Sequence, residues 1–473
     1  MLLFNQSDEI NTKATNVEEA LPYRFRGLAG RFTYGFDDRY FAEFNFGYNG
    51  SENFTPKNRY GFFPSVGLGW VISNESFFEP LTNVIQYLKV RGTWGQVGNS
   101  QISGRRFAYL ATVTDSSSTS YTFGKNMDQN YGTTAIDEYA VDVTWEVADK
   151  TDIGVDMRLL NNKLNLQFDY FKESREGIYL RRSSIPSYVG MINNPYGNIG
   201  KVENKGFELS VNYANSWGGD WSLSLMGNYS FNRNKVLEDD STVVYPWQNT
   251  IGNKVGQRFG LVALGLFESY GEIAASPVQT GDTRPGDIKY KDINGDGKID
   301  EYDKVPIGWG SVPEIMYGFG FSLGWKNLSL TAMFQGAAHV DAMLSGEGVL
   351  PFSQGSSRGN LLSNITDRWT EENPRQNAFY PRLSIGNINM NYEESTWWLK
   401  DTDYLRLKNI ELSYRLPDHW MKRIHLDNAR IFIQGVNLLT FSSFKIWDVE
   451  LGDGRGARYP NIASVSLGVN FNF

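Results

Sequence analysis

Asp292, Asn294, Asp296, Asp300 and Asp303 set side-chain oxygens at positions 1, 3, 5, 9 and 12 of the segment Asp292-Ile-Asn-Gly-Asp-Gly-Lys-Ile-Asp-Glu-Tyr-Asp303. That spacing is the pattern of a calcium loop. Gly297 falls at position 6, where such a loop turns sharply, and Lys298 at position 7 would offer only its backbone carbonyl. Ca²⁺ is a hard ion that takes about six to eight oxygens from a flexible loop. The segment is therefore expected to hold a structural calcium ion through Asp292, Asn294, Asp296, Lys298, Asp300 and Asp303. Two departures count against it. Asp at position 12 reaches less far than Glu, and the flanks Pro285-Gly-Asp and Val305-Pro-Ile-Gly cannot be helices, so no paired EF-hand is present. The alternative is an acidic surface turn without metal.

Little else in the chain is arranged for chemistry. His339, His419 and His425 have no ligand spacing. With no Cys, thiolate metal sites, thiol nucleophiles and disulfides are excluded. Gly318-Phe-Gly320 lies inside an alternating run with no helix after it, so it is not a phosphate-binding loop. Carboxylates are plentiful in the polar stretches, but nothing in the sequence fixes two of them opposite one another, as glycoside hydrolysis needs. The chain is read as a non-enzyme. Tyr245, Trp247, Trp309, Trp397 and Trp398 could stack on sugar rings or peptide side chains, or pack within loops or at a membrane rim. Packing is the better reading for Trp397 and Trp398, which begin a strand. Arg358 and Arg368 are weaker candidates for facing a lumen or a partner.

The elements that would position these residues are strands. In the terminal run Ala463–Phe473, Val465, Leu467, Val469, Phe471 and Phe473 alternate with Ser464, Ser466, Gly468, Asn470 and Asn472. A period of two gives a strand with one apolar and one polar face. In an outer-membrane barrel the apolar face meets lipid and the polar face the lumen. The terminal Phe473 also has the form of an address read by the outer-membrane assembly machinery. The alternative is the edge strand of a soluble sandwich.

Four hairpins share this grammar. Leu28–Phe36 and Tyr40–Tyr48 flank Asp37-Asp38, Ile153–Leu159 and Leu164–Tyr170 flank Asn161-Asn162, Phe207–Tyr213 and Trp221–Tyr229 flank Ser216–Asp220, and Tyr317–Trp325 and Leu328–Phe334 flank Lys326-Asn327. The other connections are long and polar, over 99–140, 181–199, 237–310, 343–396 and 447–460. Barrels of this kind have short periplasmic turns and long extracellular loops. The parity closes if 255–268 belongs to an outer excursion. The count is then about thirteen spanning strands plus a remnant at 1–6, with about 10 residues each in lipid.

Composition agrees. The 473 residues include 48 Gly and 15% aromatics, and mean hydropathy is below zero, as expected when half of each strand faces water. No apolar run reaches the length of about 18 residues that a membrane helix needs. The net charge of -8 is spread without a basic stripe, which argues against nucleic acid. The basic run Met421–His425 reads as a solvated turn. Met1-Leu-Leu-Phe-Asn-Gln-Ser has no positive n-region and no cleavage site, so the chain is expected to be the C-terminal part of a longer protein.

The chain resembles the SusC/RagA-like family of TonB-dependent outer-membrane transporters of Bacteroidetes. The resemblance is carried by Arg39-Tyr-Phe-Ala-Glu-Phe-Asn-Phe-Gly-Tyr-Asn-Gly-Ser-Glu-Asn-Phe54, Gly61-Phe-Phe-Pro-Ser-Val-Gly-Leu-Gly-Trp70 and Asn198-Ile-Gly-Lys-Val-Glu-Asn-Lys-Gly-Phe-Glu208. Pro285-Gly-Asp-Ile-Lys-Tyr-Lys-Asp-Ile-Asn-Gly-Asp-Gly297, Asp401-Thr-Asp-Tyr-Leu-Arg-Leu-Lys-Asn409 and Gly435-Val-Asn-Leu438 follow in order. It implies an all-β fold, a transmembrane antiparallel β-barrel of 22 strands plugged by an N-terminal domain, of which residues 1–473 would be the C-terminal part. The plug, the TonB box and the first strands would lie outside this chain. It implies TonB-dependent import of an oligosaccharide or peptide at the cell outer membrane, with a SusD-like surface lipoprotein over the lumen. The alternatives are a passive porin or surface binding scaffold, since fourteen strands is an allowed even number, and a soluble calcium-dependent glycan-binding β-protein.

Overall fold

The computed structural model describes residues 1–13, 20–102, 106–353, 361–386, 388–423, 426–452 and 454–472. Its main feature is one antiparallel sheet of fourteen strands in chain order. They are β1 (Leu2–Glu9), β2 (Tyr23–Phe36), β3 (Tyr40–Ser51), β4 (Tyr60–Val71), β5 (Ile85–Asn99), β6 (Glu146–Leu159) and β7 (Leu164–Arg181). β8 (Tyr196–Trp217), β9 (Trp221–Glu238), β10 (Ile315–Trp325), β11 (Leu328–Ala338), β12 (Tyr404–Arg415), β13 (Asn428–Ser442) and β14 (Ser464–Asn472) complete it. The expected thirteen strands and N-terminal remnant are all present. β1 pairs with β2 and β14 with β13. Among the described residues β1 and β14 do not pair with each other, so the sheet has two free edges.

The four expected hairpins all form, with turns at 37–39 and 218–220 where Asp37-Asp38 and Ser216–Asp220 were expected. Phe32 faces Phe44, Val155 faces Phe168, Tyr213 faces Leu225, and Phe321 faces Ala332. Their turns use left-handed residues, with φ of 54° and 51° at Asp37 and Asp38 and 53° at Lys326. Such angles match the right-handed twist of the flanking strands.

The strands are longer than the expected lipid crossing, and the reason is visible on their outward rows. β8 has 22 residues and β9 has 18. Outward on β9 come Trp221, Leu223, Leu225, Tyr229 and Phe231, and then Arg233 and Lys235. The apolar stretch is about ten residues, which at about 3.4 Å per residue and about 45° tilt spans about 24 Å, the height of a membrane band. At the level of Arg233 the outward rows of β7 and β8 carry an ion pair, Lys172–Glu203 at 2.8 Å. From there the strands stand in water. Trp221 packs on Trp325 with ring centroids 5.9 Å apart at the short-turn end, as an interfacial rim.

All the long connections leave from the opposite end. Residues 255–268 belong to an outer excursion, as expected: Arg258–Gly260 pairs with Val305–Ile307, and Ala263–Leu266 with Ile288–Tyr290. These connections are not structureless. Thr112–Phe123 pairs with Gln129–Glu138, and Asp341–Met343 with Leu399–Asp401, neither of which was expected. The largest hydrophobic core among the described residues also lies here. Leu261, Leu266, Ile288, Tyr290, Ile299, Leu344, Val349, Trp398 and Phe444 pack together from three separate connections. Among the described residues no helix is long and apolar enough to cross a membrane.

Candidate functional site

The inward rows of the sheet form a polar wall. Arg31 pairs with Glu43 at 2.6 Å across β2 and β3, Lys150 with Glu173 at 3.1 Å across β6 and β7, and Arg430 with Glu411 at 2.8 Å across β13 and β12. Arg91 on β5 meets three carboxylates, Asp152 at 2.9 Å, Asp156 at 3.4 Å, and Asp169. Asp169 lies two strands away, and Gly154 stands between. A Cβ at Gly154 would fall 2.5 Å from the Arg91 Cζ, so the absent side chain lets the guanidinium cross. Farther round, Gln167, Asn228, Ser230 and Gln335, the carboxylates Asp169 and Glu208 and the exposed Met316 surround a hollow of about 590 Å³. Interleaved donors, acceptors and both signs of charge suit a wetted passage for a polar solute.

Above this wall sits the folded outer layer, and buried polar groups tie it together. Asp287 is 1% exposed and accepts from the Arg382 Nε and Nη2 at 2.9 Å each, from Asn391 Nδ2 at 2.8 Å and from Asn389 Nδ2 at 3.1 Å. It thus joins the 239–314 and 339–403 connections. A second tie reaches the strands. Glu314, buried just before β10, accepts from Arg233 of β9 at 2.6 Å and from Lys254 at 3.2 Å. Burial works against its charge, yet these hydrogen bonds prevail and hold the carboxyl below its usual range. His339 lies 3.2 Å from Glu314 and stacks on Trp309 with centroids 4.0 Å apart.

The 292–303 loop is compact and closed by its own side chains. Asp292 accepts from the Gly295 N–H at 2.7 Å and from the Gly297 N–H at 2.9 Å. Asn294 accepts from the Asp296 N–H at 3.0 Å, Asp296 from the Lys298 N–H at 2.9 Å, and Asp300 from the Tyr302 N–H at 2.8 Å. Asp303 is fully buried and accepts from the Ile293 N–H at 2.7 Å and the Asp300 N–H at 2.9 Å. Gly295 and Gly297 have φ of 75° and 82°, which only glycine adopts freely. The twelve-residue spacing thus produces one turn-rich loop. Its carboxylates cap backbone amides, and among the described residues no three His, Asp or Glu side chains gather closely enough to hold a metal ion.

The aromatic candidates are mostly packing residues. Trp398 is 1% exposed and donates to the Asn391 carbonyl at 2.7 Å, and Trp397 donates to the Phe379 carbonyl at 3.2 Å. Tyr245 stacks on Trp247 at 4.6 Å, and Trp247 donates to the Tyr302 carbonyl at 2.8 Å, beside the acidic loop. Arg368 donates within its own connection, to Ile365 at 3.2 Å. His419 is exposed in the short helix Asp418–Arg423, against Trp420. Arg358, His425 and Phe473 lie outside the described residues. Sequence reasoning missed Arg91, Asp287 and Glu314. Their partners are distant in sequence, and no local pattern announces them.

A lipid-facing apolar surface, a charged inner wall, short turns on one side and a folded layer on the other define a transmembrane barrel wall of the outer membrane. The chain belongs to the TonB dependent receptor-like, beta-barrel family, whose pattern matches residues 5–438. It is similar to TonB-dependent receptor P3 of Formosa agariphila, with 29% identity over 472 residues, covering 94% of this chain and 45% of that protein. It is also similar to TonB-dependent receptor SusC of Bacteroides thetaiotaomicron, with 27% identity over 462 residues, 94% of this chain and 43% of that protein. Among solved structures it shares its fold with the RagAB peptide transporter, at a TM-score of 0.69 and 22% identity, over 98% of this chain and 50% of that one. The chain spans about half the length of the curated relatives it matches.

Proposed function

We propose that this chain builds most of the wall of an energised outer-membrane importer. It passes a large nutrient, an oligosaccharide or a peptide, through the charged lumen, with a SusD-like surface lipoprotein on the extracellular side and TonB supplying energy from the periplasmic side. The observation that carries this reading is a polar wall whose outermost strands, β1 and β14, are unpaired along one edge each among the described residues. Unpaired backbone cannot face lipid, so β1 and β14 call for further strands of the same barrel, which in this reading carry the plug and the TonB contact. A self-contained porin of fourteen strands would instead join β14 to β1. The test is uptake of labelled oligosaccharides and peptides by cells with and without TonB. Accumulation is expected to fall to background without TonB; equal accumulation would favour the passive porin.

The 292–303 loop is proposed as a structural calcium site. The support is its turn geometry and donor chemistry, since each carboxylate oxygen that accepts one amide keeps a lone pair for a cation. As an extracellular module it would bind in the range of about 10⁻⁴ to 10⁻³ M. Titration of the purified full-length protein with Ca²⁺ is expected to give saturable binding that Asp292→Ala with Asp296→Ala abolishes. Chelation is expected to raise protease cleavage within 292–303 and leave the barrel folded. Identical binding by wild type and the double variant would sink the calcium reading and leave the acidic turn.

A further inference from the structure

Within the outer layer, a cavity of about 580 Å³ opens between residues 362–364, Phe379, Lys400–Asp401 and 443–446. Its size suits a small ligand or the end group of a longer one. Phe379 and Phe444 supply apolar surface, Asn364 an amide, and Lys400 and Lys445 two cations against the single carboxylate of Asp401. That carboxylate is partly engaged, accepting from the Asp403 N–H at 2.7 Å.

Lys400 is the unusual member. Its backbone is held in a short ladder, paired with Ala342. Its ammonium donates one hydrogen bond, to the Trp397 carbonyl at 2.8 Å, and lies 5.3 Å from the centre of the Phe379 ring. Among the described residues no carboxylate comes within ion-pair distance of it. The cations Arg233, Lys254, Arg382 and Arg406 each have at least one. Burial alone pushes the Lys400 ammonium below its ordinary value. An ammonium has three protons to donate, and the protein engages it with one carbonyl and one ring face. A half-buried cation of this kind, without a carboxylate partner, is stabilised by an anion brought from outside.

We infer that this cavity is a subsite for a carboxylate of the imported nutrient, with Lys400 as the charge partner and Phe379 and Phe444 packing on the apolar or ring portion next to it. The inference rests on the import reading for the source of the ligand. The shared chemistry is a carboxylate, which a peptide C-terminus and a uronic acid both provide. Lys445 adds a long-range attraction from the rim.

The experiment is calorimetric binding to the purified full-length protein in detergent. The probes are two matched pairs: the peptide Ala-Ala-Phe and its C-terminal amide, and digalacturonate and its dimethyl ester. One acid is expected to bind at least about tenfold more tightly than its uncharged partner, the scale of one charge-assisted hydrogen bond. Whichever pair shows the difference identifies the source. Lys400→Gln is expected to erase that ratio and Lys400→Arg to keep part of it. In the wild type, the preferred acid is expected to protect Lys400 from an amine-acylating reagent, read by mass spectrometry. Absence of an acid preference in both pairs, or an acid preference that survives Lys400→Gln without protection of Lys400, would overturn the inference. Binding in detergent needs no TonB, so this result stands or falls apart from the uptake test.

Discussion

Asp287→Ala is expected to loosen the outer layer as a unit while the fourteen-strand wall stays inserted. Asp287 is buried and accepts two hydrogen bonds from Arg382, one from each of the amides of Asn389 and Asn391, and one from the Arg284 N–H at 2.9 Å. Asn389 and Asn391 are themselves buried, at 6% and 1% exposure. Alanine would leave a largely covered guanidinium without its carboxylate and the buried Asn389 amide without its acceptor, while Asn391 would keep only the Arg382 carbonyl. Breaking a buried ion pair from one side costs about 3–5 kcal/mol, because the remaining charge is uncompensated. The affected backbone joins segments about a hundred residues apart, as in the bond from the Ile288 N–H to Asn391 Oδ1 at 2.9 Å. The readout is limited proteolysis of intact cells bearing the full-length protein. New cleavage is expected in 239–314 and 339–403, with heat-modifiable barrel mobility unchanged. Asp282→Ala is the control. Its pair with Arg284 is about half exposed, so its contribution is within about 1 kcal/mol. Equal protease resistance of Asp287→Ala and wild type would mean that the hydrophobic core alone holds the layer.

The wall was legible because its signal is local. Alternation at a period of two assigns every residue of a strand to a face, and a two-residue turn such as Lys326-Asn327 then sets the register of both neighbours. Phe321 opposite Ala332 follows from counting outward from that turn. The outer layer was not legible, since its order comes from contacts between connections that are each polar and aperiodic. Nothing near Asp287 in the sequence marks it as a buried acceptor; its partners arrive from residues 382–391. Trp398 was readable as a packing residue, though not that it sits in the core of the outer layer. The 292–303 spacing was readable as a tight oxygen-rich loop. Spacing alone does not decide between ion and amide as the partner of each carboxylate, because the turns that bring oxygens inward also bring N–H groups. Lys400 is invisible in sequence, because an unpaired cation is defined by the absence of a neighbour in space.

Phe319→Arg and Ser224→Arg are expected to have opposite outcomes, although both residues sit well within the membrane-spanning part of adjacent strands. Phe319 on β10 points outward, 45% exposed in the isolated chain, and stacks on Phe334 of β11 with centroids 5.0 Å apart. Ser224 on β9 points to the lumen, opposite Ser322. An arginine near the midplane on the lipid face of a barrel costs about 2–4 kcal/mol. Loss of the ring pair adds about 0.5–1.5 kcal/mol. An arginine at Ser224 meets water and neighbouring hydroxyls, so its cost is within about 1 kcal/mol. The measurement is the folded fraction of the full-length protein in lipid vesicles across a urea series. Phe319→Arg is expected to shift the transition far toward lower urea, and Ser224→Arg to leave it nearly in place. The comparison separates a membrane wall from a soluble sheet. In water an outward Phe319 would be a surface ring, and arginine there would be tolerated or would improve solubility. In lipid the same substitution has no water to reach except at the distant rims, where the apolar rows end.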